Sequence, residues 1–175
     1  MRRLMLLRHA KSDWSKPGQR DHDRVLASRG REAAPRIGKY MATHDLMPEL
    51  VVCSTALRAR ETWELVAGEL AAEPKVAHDE RIYENRPDTL LEVIQETEPG
   101  IHVLLLVGHN PSFPALAELL AATGDTESRQ RLREKFPTAG LAVIDFAVHA
   151  WDRVHPHSGR LDRMITPRLL DAAPD

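Results

Sequence analysis

Short apolar runs recur along the chain, and each of them is followed by a polar segment. The runs that predict β-strands are Arg3–Leu7, Leu50–Cys53, Val76–Ala77 and His102–Val107. Apolar and polar residues do not alternate within these runs, which is typical of strands that a parallel sheet buries on both faces. The pattern therefore predicts a sheet that is covered by helices on each side.

The segments between these strands have apolar residues at spacings of three and four, as amphipathic helices do. The predicted helices are Arg29–Thr43, Ala56–Ala72, Asp88–Thr97 and Pro111–Ala122. We expect Asn110 to cap the last of these helices, with Pro111 at its first position. The alternation of strands and helices predicts βαβ units with right-handed crossovers.

A different pattern begins near residue 140, where Leu141–Phe146 predicts a further strand. Ala150–Val154 and Arg160–Ile165 predict a hairpin that pairs antiparallel at the sheet edge. We expect one domain over residues 1–175 with an α/β fold. The expected architecture is a three-layer α/β/α sandwich, with a mostly parallel sheet and an antiparallel edge strand or hairpin near the C-terminus. Residues 171–175 are expected to form a frayed tail.

Composition and charge narrow the classes of function. The formal net charge is -2, so a strong general attraction to nucleic acid is absent. The single cysteine, Cys53, excludes an intramolecular disulfide and a cysteine-ligated zinc site, and we expect it to be a buried strand residue. The apolar run after Met1–Arg3 is too short for an export signal, and no apolar stretch is long enough for a membrane helix. We expect a cytoplasmic protein with neither nucleic acid nor membrane as a partner.

Residues suited to phosphate chemistry follow three of the predicted strands. Arg8 and His9 end the first, Arg58 lies just beyond the second, and His109 follows His102–Val107. Because the carboxyl ends of parallel strands meet at one edge of the sheet, we expect these four side chains to converge. Two guanidiniums can bind a phosphate dianion without a metal or another cofactor, while one imidazole attacks phosphorus and the other donates hydrogen bonds.

Two other interpretations compete with this one. Each of the four residues could be an ordinary polar side chain of a loop, although their joint occurrence at three strand ends favours a site. The two histidines could instead bind a metal. A third ligand at a suitable spacing is missing, however, and the two arginines would repel a cation. We therefore expect no metal.

Four segments resemble the histidine phosphatase superfamily, which has the phosphoglycerate-mutase-like fold. They are LLRHAKSDW around His9, DHDRVLASRGREAA at 21–34, CSTALRARET around Arg58 and LLLVGHNPSF around His109. The family hallmark Arg-His-Gly ends here in Ala10, a variant typical of SixA-type phosphohistidine phosphatases. The resemblance implies that His9 becomes transiently phosphorylated, that Arg8, Arg58 and His109 hold the phosphoryl oxygens, and that water then releases phosphate.

Larger members of the superfamily use a Glu or Asp to protonate the leaving oxygen. The candidate here is Glu84, which could equally be a solvated loop carboxylate. A site without a firm general acid is better suited to phosphohistidine than to an alkyl phosphate, because imidazole is a far better leaving group than an alkoxide. Three residues after His9 could contact the substrate: Lys11, Ser12 and Trp14. Each also has an ordinary structural alternative. Lys11 could be solvated, Ser12 could cap a turn, and Trp14 could pack in a loop.

The resulting hypothesis is a phosphatase that acts through a phosphohistidine intermediate on a phosphate-bearing substrate, most simply a phosphohistidine protein. The alternatives are a small-molecule phosphomonoesterase or phosphoglycerate-mutase-like enzyme, and a non-catalytic phosphate-binding module. A docking surface for a protein could involve further arginines, although scattered basic residues are usually only solubilising. Those arginines are Arg24, Arg29, Arg153, Arg160, Arg163 and Arg168.

Overall fold

The computed structural model describes residues 1–172, in which seven strands form one sheet in the order β3-β2-β4-β1-β6-β7-β5. The strands are β1 Arg2–Arg8, β2 Leu50–Cys53, β3 Lys75–His78, β4 Val103–Gly108, β5 Ala121–Gly124, β6 Leu141–Phe146 and β7 Gly159–Ile165. Strands β1 to β4 pair in parallel, whereas β6 is antiparallel to both of its neighbours, β1 and β7. The edge strand β5 pairs in parallel with β7.

Helices cover both faces of this sheet. They are α1 Ser28–Thr43, α2 Leu57–Ala67, α3 Glu80–Glu84, α4 Pro87–Gln95, α5 Ser112–Leu120, α6 Thr126–Glu134 and α7 Pro167–Ala172, with short 3-10 helices at Asp21–Asp23 and Trp151–Arg153. Within β1, Leu4 and Leu6 pack against α4 and α5, while Met5 and Leu7 pack against α1 and α2 on the opposite face. Since successive strand residues point to opposite faces, a strand covered on both sides must be apolar throughout. The predicted α/β sandwich and its mostly parallel sheet are confirmed.

The C-terminal strands differ from the predicted hairpin. Ala150–Val154 is not a strand, because Trp151–Arg153 forms a 3-10 helix, and the antiparallel partner of β7 is β6. The indole of Trp151 is fully buried and donates a hydrogen bond from Nε1 to the Ile101 carbonyl at 2.6 Å. Trp151 and Val154 are both buried at a spacing of three, which suits a helical turn and not an alternating strand.

Several helix boundaries also differ from their predictions. The predicted helix Pro111–Ala122 is shorter, because its last residues begin β5. Asn110 is not its cap: the Ser112 amide donates to Asn85 Oδ1, and the side chain of Asn110 donates to the Phe136 carbonyl. The predicted tail begins inside α7, and residues 173–175 lie outside the described residues. In the described part of the chain, no helix has the length and apolarity needed to cross a bilayer.

Candidate active site

The two candidate histidines follow neighbouring parallel strands. Arg8 of β1 lies in register with Gly108 of β4, and the His9 amide donates to the Gly108 carbonyl at 3.0 Å. This pairing brings the rings of His9 and His109 to a centroid distance of 5.2 Å, with their planes at 55°. Both residues are buried, with 7% and 4% of their surface exposed. The structure thus brings His9 and His109 together at the carboxyl edge of the sheet.

The hydrogen bond made by His9 defines which of its nitrogens can react. Nδ1 lies 2.8 Å from the carbonyl oxygen of Ala10. A carbonyl oxygen only accepts hydrogen bonds, so Nδ1 must carry the ring proton and donate it. The neutral ring then keeps an unprotonated lone pair on Nε2, as a nucleophile requires.

Ser54 orients the second ring. Its Oγ lies 2.7 Å from Nε2 of His109 and also accepts a hydrogen bond from the Ala56 amide at 3.2 Å. The hydroxyl proton of Ser54 is therefore available for donation to Nε2. In that arrangement Nδ1 of His109 carries the ring proton and can donate it to a bound oxygen.

Both rings are held neutral at physiological pH. Burial, reinforced by the charges of Arg58, Arg8 and Arg24, lowers the pKa of His9 to about 4 against the opposing hydrogen bond to Ala10. Burial, followed by the influence of His9 and Arg58, lowers the pKa of His109 to about 3. A neutral imidazole keeps its lone pair, so these environments favour a nucleophilic histidine.

Three guanidiniums surround the two rings; Arg24 and Arg58 are buried, and Arg8 is half-buried. Arg8 ends β1, Arg58 lies in the first turn of α2, and Arg24 follows the 3-10 helix Asp21–Asp23. The Nε atom of each is buried and has no acceptor among the described residues. Three positive charges that line one cavity form an arrangement that suits a bound anion. Burial, and then the charge of Arg58, lowers the pKa of the Arg8 side chain.

Asp21 connects two of these guanidiniums. One carboxylate oxygen accepts from Nη2 of Arg58 at 3.0 Å and from the Tyr83 hydroxyl at 2.6 Å, and the other accepts from Nη1 of Arg24 at 3.0 Å. The backbone carbonyl of Asp21 also accepts from Nη1 of Arg58 at 2.8 Å. Partial burial would raise the pKa of Asp21, but the Tyr83 hydroxyl and the Arg58 guanidinium outweigh it and lower the pKa below its ordinary value. Asp21 is therefore ionised at neutral pH.

The sequence interpretation missed Asp21, although a signal for it was present. Asp21 and Arg24 stand in the segment DHDR, which opens one of the four stretches that resemble the family. Asp21 belongs to a 3-10 helix of three residues, which is too short to show a periodic pattern. Its contact with Arg58 spans 37 residues of sequence, so only the folded chain reveals it.

These groups surround a cavity of about 420 Å³. Its lining residues are Arg8, His9, Lys11, Ser12, Trp14, Asp21, Arg24, Arg58, Tyr83, Asn85, His109, Asn110 and Thr138. We call this space the active-site cavity. The four principal candidates and the three possible substrate contacts, Lys11, Ser12 and Trp14, all line it. Glu84 does not: its side chain is exposed at the end of α3, whereas its neighbours Tyr83 and Asn85 do line the cavity.

The loop after β1 is fixed by close packing. The Ala10 amide donates to Thr62 Oγ1 at 2.9 Å, and the Thr62 hydroxyl donates to the Arg58 carbonyl at 2.7 Å. Gly30 lets α1 approach this loop, because a Cβ there would lie 2.2 Å from the Lys11 carbonyl oxygen. The loop that carries His9 is thereby attached to the helix that carries Arg58.

Three possible substrate contacts have different surroundings. The Ser12 hydroxyl is buried and accepts a hydrogen bond from Nη2 of Arg24, so it positions that guanidinium. Trp14 is 72% exposed, and its ring lies 3.1 Å from the Arg24 guanidinium carbon. Lys11 is exposed at the rim.

Two further predictions concern metals and cysteine. Among the described residues, no group of three His, Cys, Asp or Glu side chains is arranged to hold a metal ion. Cys53 is buried in β2, as expected. Burial raises the pKa of its thiol to about 12, which keeps it protonated and unreactive.

Comparison with known proteins identifies the family. The model of the histidine phosphatase superfamily (branch 1) matches residues 4–86. An uncharacterised protein from Mycobacterium tuberculosis H37Rv is 37% identical over 164 residues, which covers 93% of this chain and 100% of that protein. The chain belongs to the histidine phosphatase superfamily, and it is therefore a phosphatase with a phosphate-bearing substrate.

Solved structures define the type of fold within that family. The SixA protein from Agrobacterium tumefaciens matches with a TM-score of 0.79 and 32% identity, over 95% of this chain and 98% of that chain. The SixA protein from Nakamurella multipartitia matches with a TM-score of 0.81 and 28% identity, over 95% and 96%. The fold is of the SixA type, which confirms the predicted resemblance.

The two buried histidines should make stability depend on pH. Their folded pKa values lie below the value of about 6.5 expected in the unfolded chain, so the unfolded state binds more protons in this interval. Their effect is absent above pH 6.5, and stability should fall as the pH drops from there towards 4. Each histidine should contribute a loss of about 1.6 kcal/mol between pH 6.5 and 5. The free energy of unfolding in urea at several pH values would measure this. A His9→Gln/His109→Gln variant serves as the control, and an equally steep pH dependence in that variant would contradict the assignment.

Asp21→Asn should reduce kcat more than it affects KM. Asparagine removes the charge that orients Arg58, so we expect kcat with p-nitrophenyl phosphate to fall about tenfold. KM should not rise, because losing a negative charge in the cavity favours anion binding. Asp23→Asn is the matched control, since Asp23 lies in the same 3-10 helix and makes no hydrogen bond to Arg58. Steady-state kinetics of the two variants measure the effect, and an unchanged kcat in Asp21→Asn would contradict it.

Proposed function

We propose that this phosphatase transfers a phosphoryl group to His9 without a metal and that its substrate is phosphohistidine on a protein. The choice of substrate rests on the protonation state of the acidic groups that line the active-site cavity. Among the described residues, Asp21 is the only carboxylate that lines the cavity, and it is ionised. The site has no carboxylic acid ready to protonate a leaving group.

The first step forms a bond between His9 Nε2 and phosphorus and breaks the bond from phosphorus to the leaving group. The hydrogen bond to Ala10 keeps the proton on Nδ1, so Nε2 attacks with its lone pair. Arg8, Arg58 and His109 bind the phosphoryl oxygens and balance their charge during the transfer. In the second step, water attacks phosphorus, Nε2 regains its lone pair, and inorganic phosphate is released.

The nature of the leaving group follows from this arrangement. An alkoxide is such a strong base that its departure requires a proton donor, and general acid catalysis of this kind contributes about 10²–10⁴-fold. Asp21 is deprotonated, and burial together with Asp21 raises the pKa of Tyr83, so neither residue is a ready proton donor. The imidazole of phosphohistidine needs much less assistance, because its ring titrates near pH 6.5. The missing acid therefore supports a phosphoramidate substrate.

The similarity to the SixA proteins supports the same substrate class, since both of those proteins are named putative phosphohistidine phosphatases. The cavity is also open enough to admit a phosphohistidine on the surface of another protein, because Lys11 and Trp14 at its rim are exposed to solvent. Glu84 keeps no role in this proposal, because it lies outside the lining of the cavity.

The assignment of His9 can be tested with p-nitrophenyl phosphate. His9→Ala should lose nearly all activity, and EDTA should leave the wild-type rate unchanged. A labelled phosphoryl group should be trapped on the wild type and absent from His9→Ala. His102→Ala is the matched control, because that exposed histidine precedes β4 at the opposite end of the sheet. Activity that survived in His9→Ala would exclude the nucleophile, and a loss with EDTA would indicate a metal.

The substrate class can be tested with one peptide phosphorylated either on histidine or on serine. We expect kcat/KM for the phosphohistidine form to exceed that for the phosphoserine form by about 100-fold or more, since only the serine alkoxide needs a general acid. Phosphoglycerate and sugar phosphates complete the comparison. Equal rates on alkyl phosphates would overturn the proposed substrate class while leaving the phosphatase assignment intact.

A further inference from the structure

A second cavity, of about 660 Å³, adjoins the active-site cavity. It lies between α1, α6 and α7, and it shares Lys11 and Thr138 with the lining of the active-site cavity. Its lining includes three further exposed cations, Arg29, Lys135 and Arg168. We call this second cavity the basic groove.

The charges in the basic groove are unbalanced. Lys11, Arg29, Lys135 and Arg168 are exposed, and within the described residues none of them has a carboxylate within 4 Å.

The other charged groups of the groove do not remove this excess. Arg36 pairs with Asp171, and Arg131 lies 3.9 Å from Glu127. Glu32 and Glu134 also line the groove, but they are fewer than the unpaired cations. The whole chain has a net charge of -2, so the positive charge is a local property of this surface.

We propose that the basic groove binds an acidic segment of the protein substrate, next to the histidine whose phosphate enters the active-site cavity. This inference rests on the proposed function and extends it to the sequence around the phosphorylated residue. The shared residues Lys11 and Thr138 place the two cavities side by side, so one chain that crosses Lys11 and Thr138 can reach both.

The lining favours a peptide over a nucleic acid. Ala33, Pro137 and Pro167 provide an apolar wall for side chains, and the described lining contains no aromatic ring on which a base could stack. Glu32 and Glu134 lie among the cations and would repel the evenly spaced negative charges of a phosphate backbone. A peptide can place its carboxylates at intervals that avoid both glutamates.

Only part of the surface considered from the sequence belongs to this groove. Of the six arginines named there, Arg29 and Arg168 line the basic groove and Arg24 lines the active-site cavity. Arg153, Arg160 and Arg163 line neither. The guanidinium of Arg163 donates hydrogen bonds to the Asp162 carboxylate and to the Tyr40 hydroxyl.

The test compares phosphohistidine peptides that carry three glutamates or three glutamines, placed on either side of the histidine. At low ionic strength the wild type should turn over one glutamate peptide with a kcat/KM about tenfold higher than its glutamine counterpart, mainly through KM. This preference should diminish as salt is added, because exposed charges are screened.

Charge reversal in the groove provides the decisive comparison. Arg29→Glu/Lys135→Glu should lose the preference for glutamates while its kcat/KM for p-nitrophenyl phosphate stays within twofold of wild type. The matched control is Lys39→Glu/Arg133→Glu, which makes the same charge change at exposed positions of α1 and α6 outside the groove. This control should keep the preference.

The outcomes separate the groove from the proposed function. Two results would overturn the proposed role of the basic groove and leave the phosphatase assignment intact. One is equal rates on glutamate and glutamine peptides in both placements. The other is a preference for glutamates that persists in Arg29→Glu/Lys135→Glu. Failure to hydrolyse any phosphohistidine peptide would overturn the proposed substrate class and, with it, this inference. A single-stranded oligonucleotide could inhibit the wild type and fail to inhibit Arg29→Glu/Lys135→Glu. That result would assign the groove to nucleic acid and overturn the proposal that it binds a peptide.

Discussion

The parallel pairing of β1 with β4 is the constraint on which the candidate site depends. It places Arg8 opposite Gly108, so the residues that follow each strand, His9 and His109, emerge side by side. A shift of one residue would turn every side chain of β1 to the opposite face of the sheet. Both faces of β1 are packed against different helices: Leu4 and Leu6 contact the layer of α4 and α5, and Met5 and Leu7 contact the layer of α1 and α2. The packing that stabilises the fold therefore also fixes the distance between the two imidazoles.

Much of this could be predicted from the sequence, because the information was local. Uninterrupted apolar runs indicate buried strands, and the polar residues at their ends indicate where a parallel sheet places a ligand. The rest depended on contacts between distant segments. Asp21 is identified by its hydrogen bonds to Arg58 and Tyr83, which lie 37 and 62 residues further along the chain. Similarly, β5 continues the apolar pattern of α5, and only its pairing with β7 makes it a strand.

The electrostatics of the site explain how positive charge and a nucleophile coexist there. Burial is the main cause that lowers the pKa values of His9 and His109, and the charges of Arg58 and Arg8 act in the same direction. The cations that bind a phosphoryl group therefore reinforce the neutral state that keeps a lone pair available to attack it. Asp21 limits the resulting repulsion between Arg24 and Arg58, because its two carboxylate oxygens accept from one guanidinium each.

Under the proposed reaction, Asp21 also bears on the release of the product. A phosphatase must bind the transferring group tightly in the transition state and inorganic phosphate only weakly afterwards, since uniform binding does not raise kcat. A carboxylate that already occupies Nη2 of Arg58 competes electrostatically with any anion in the cavity. It penalises bound phosphate, but it also holds the guanidinium in the orientation that the transition state needs, so that no reorganisation is required during transfer. The ionised state of Asp21 thus serves orientation and release together, and it is the same state that leaves the site without a general acid and restricts it to leaving groups that depart without one.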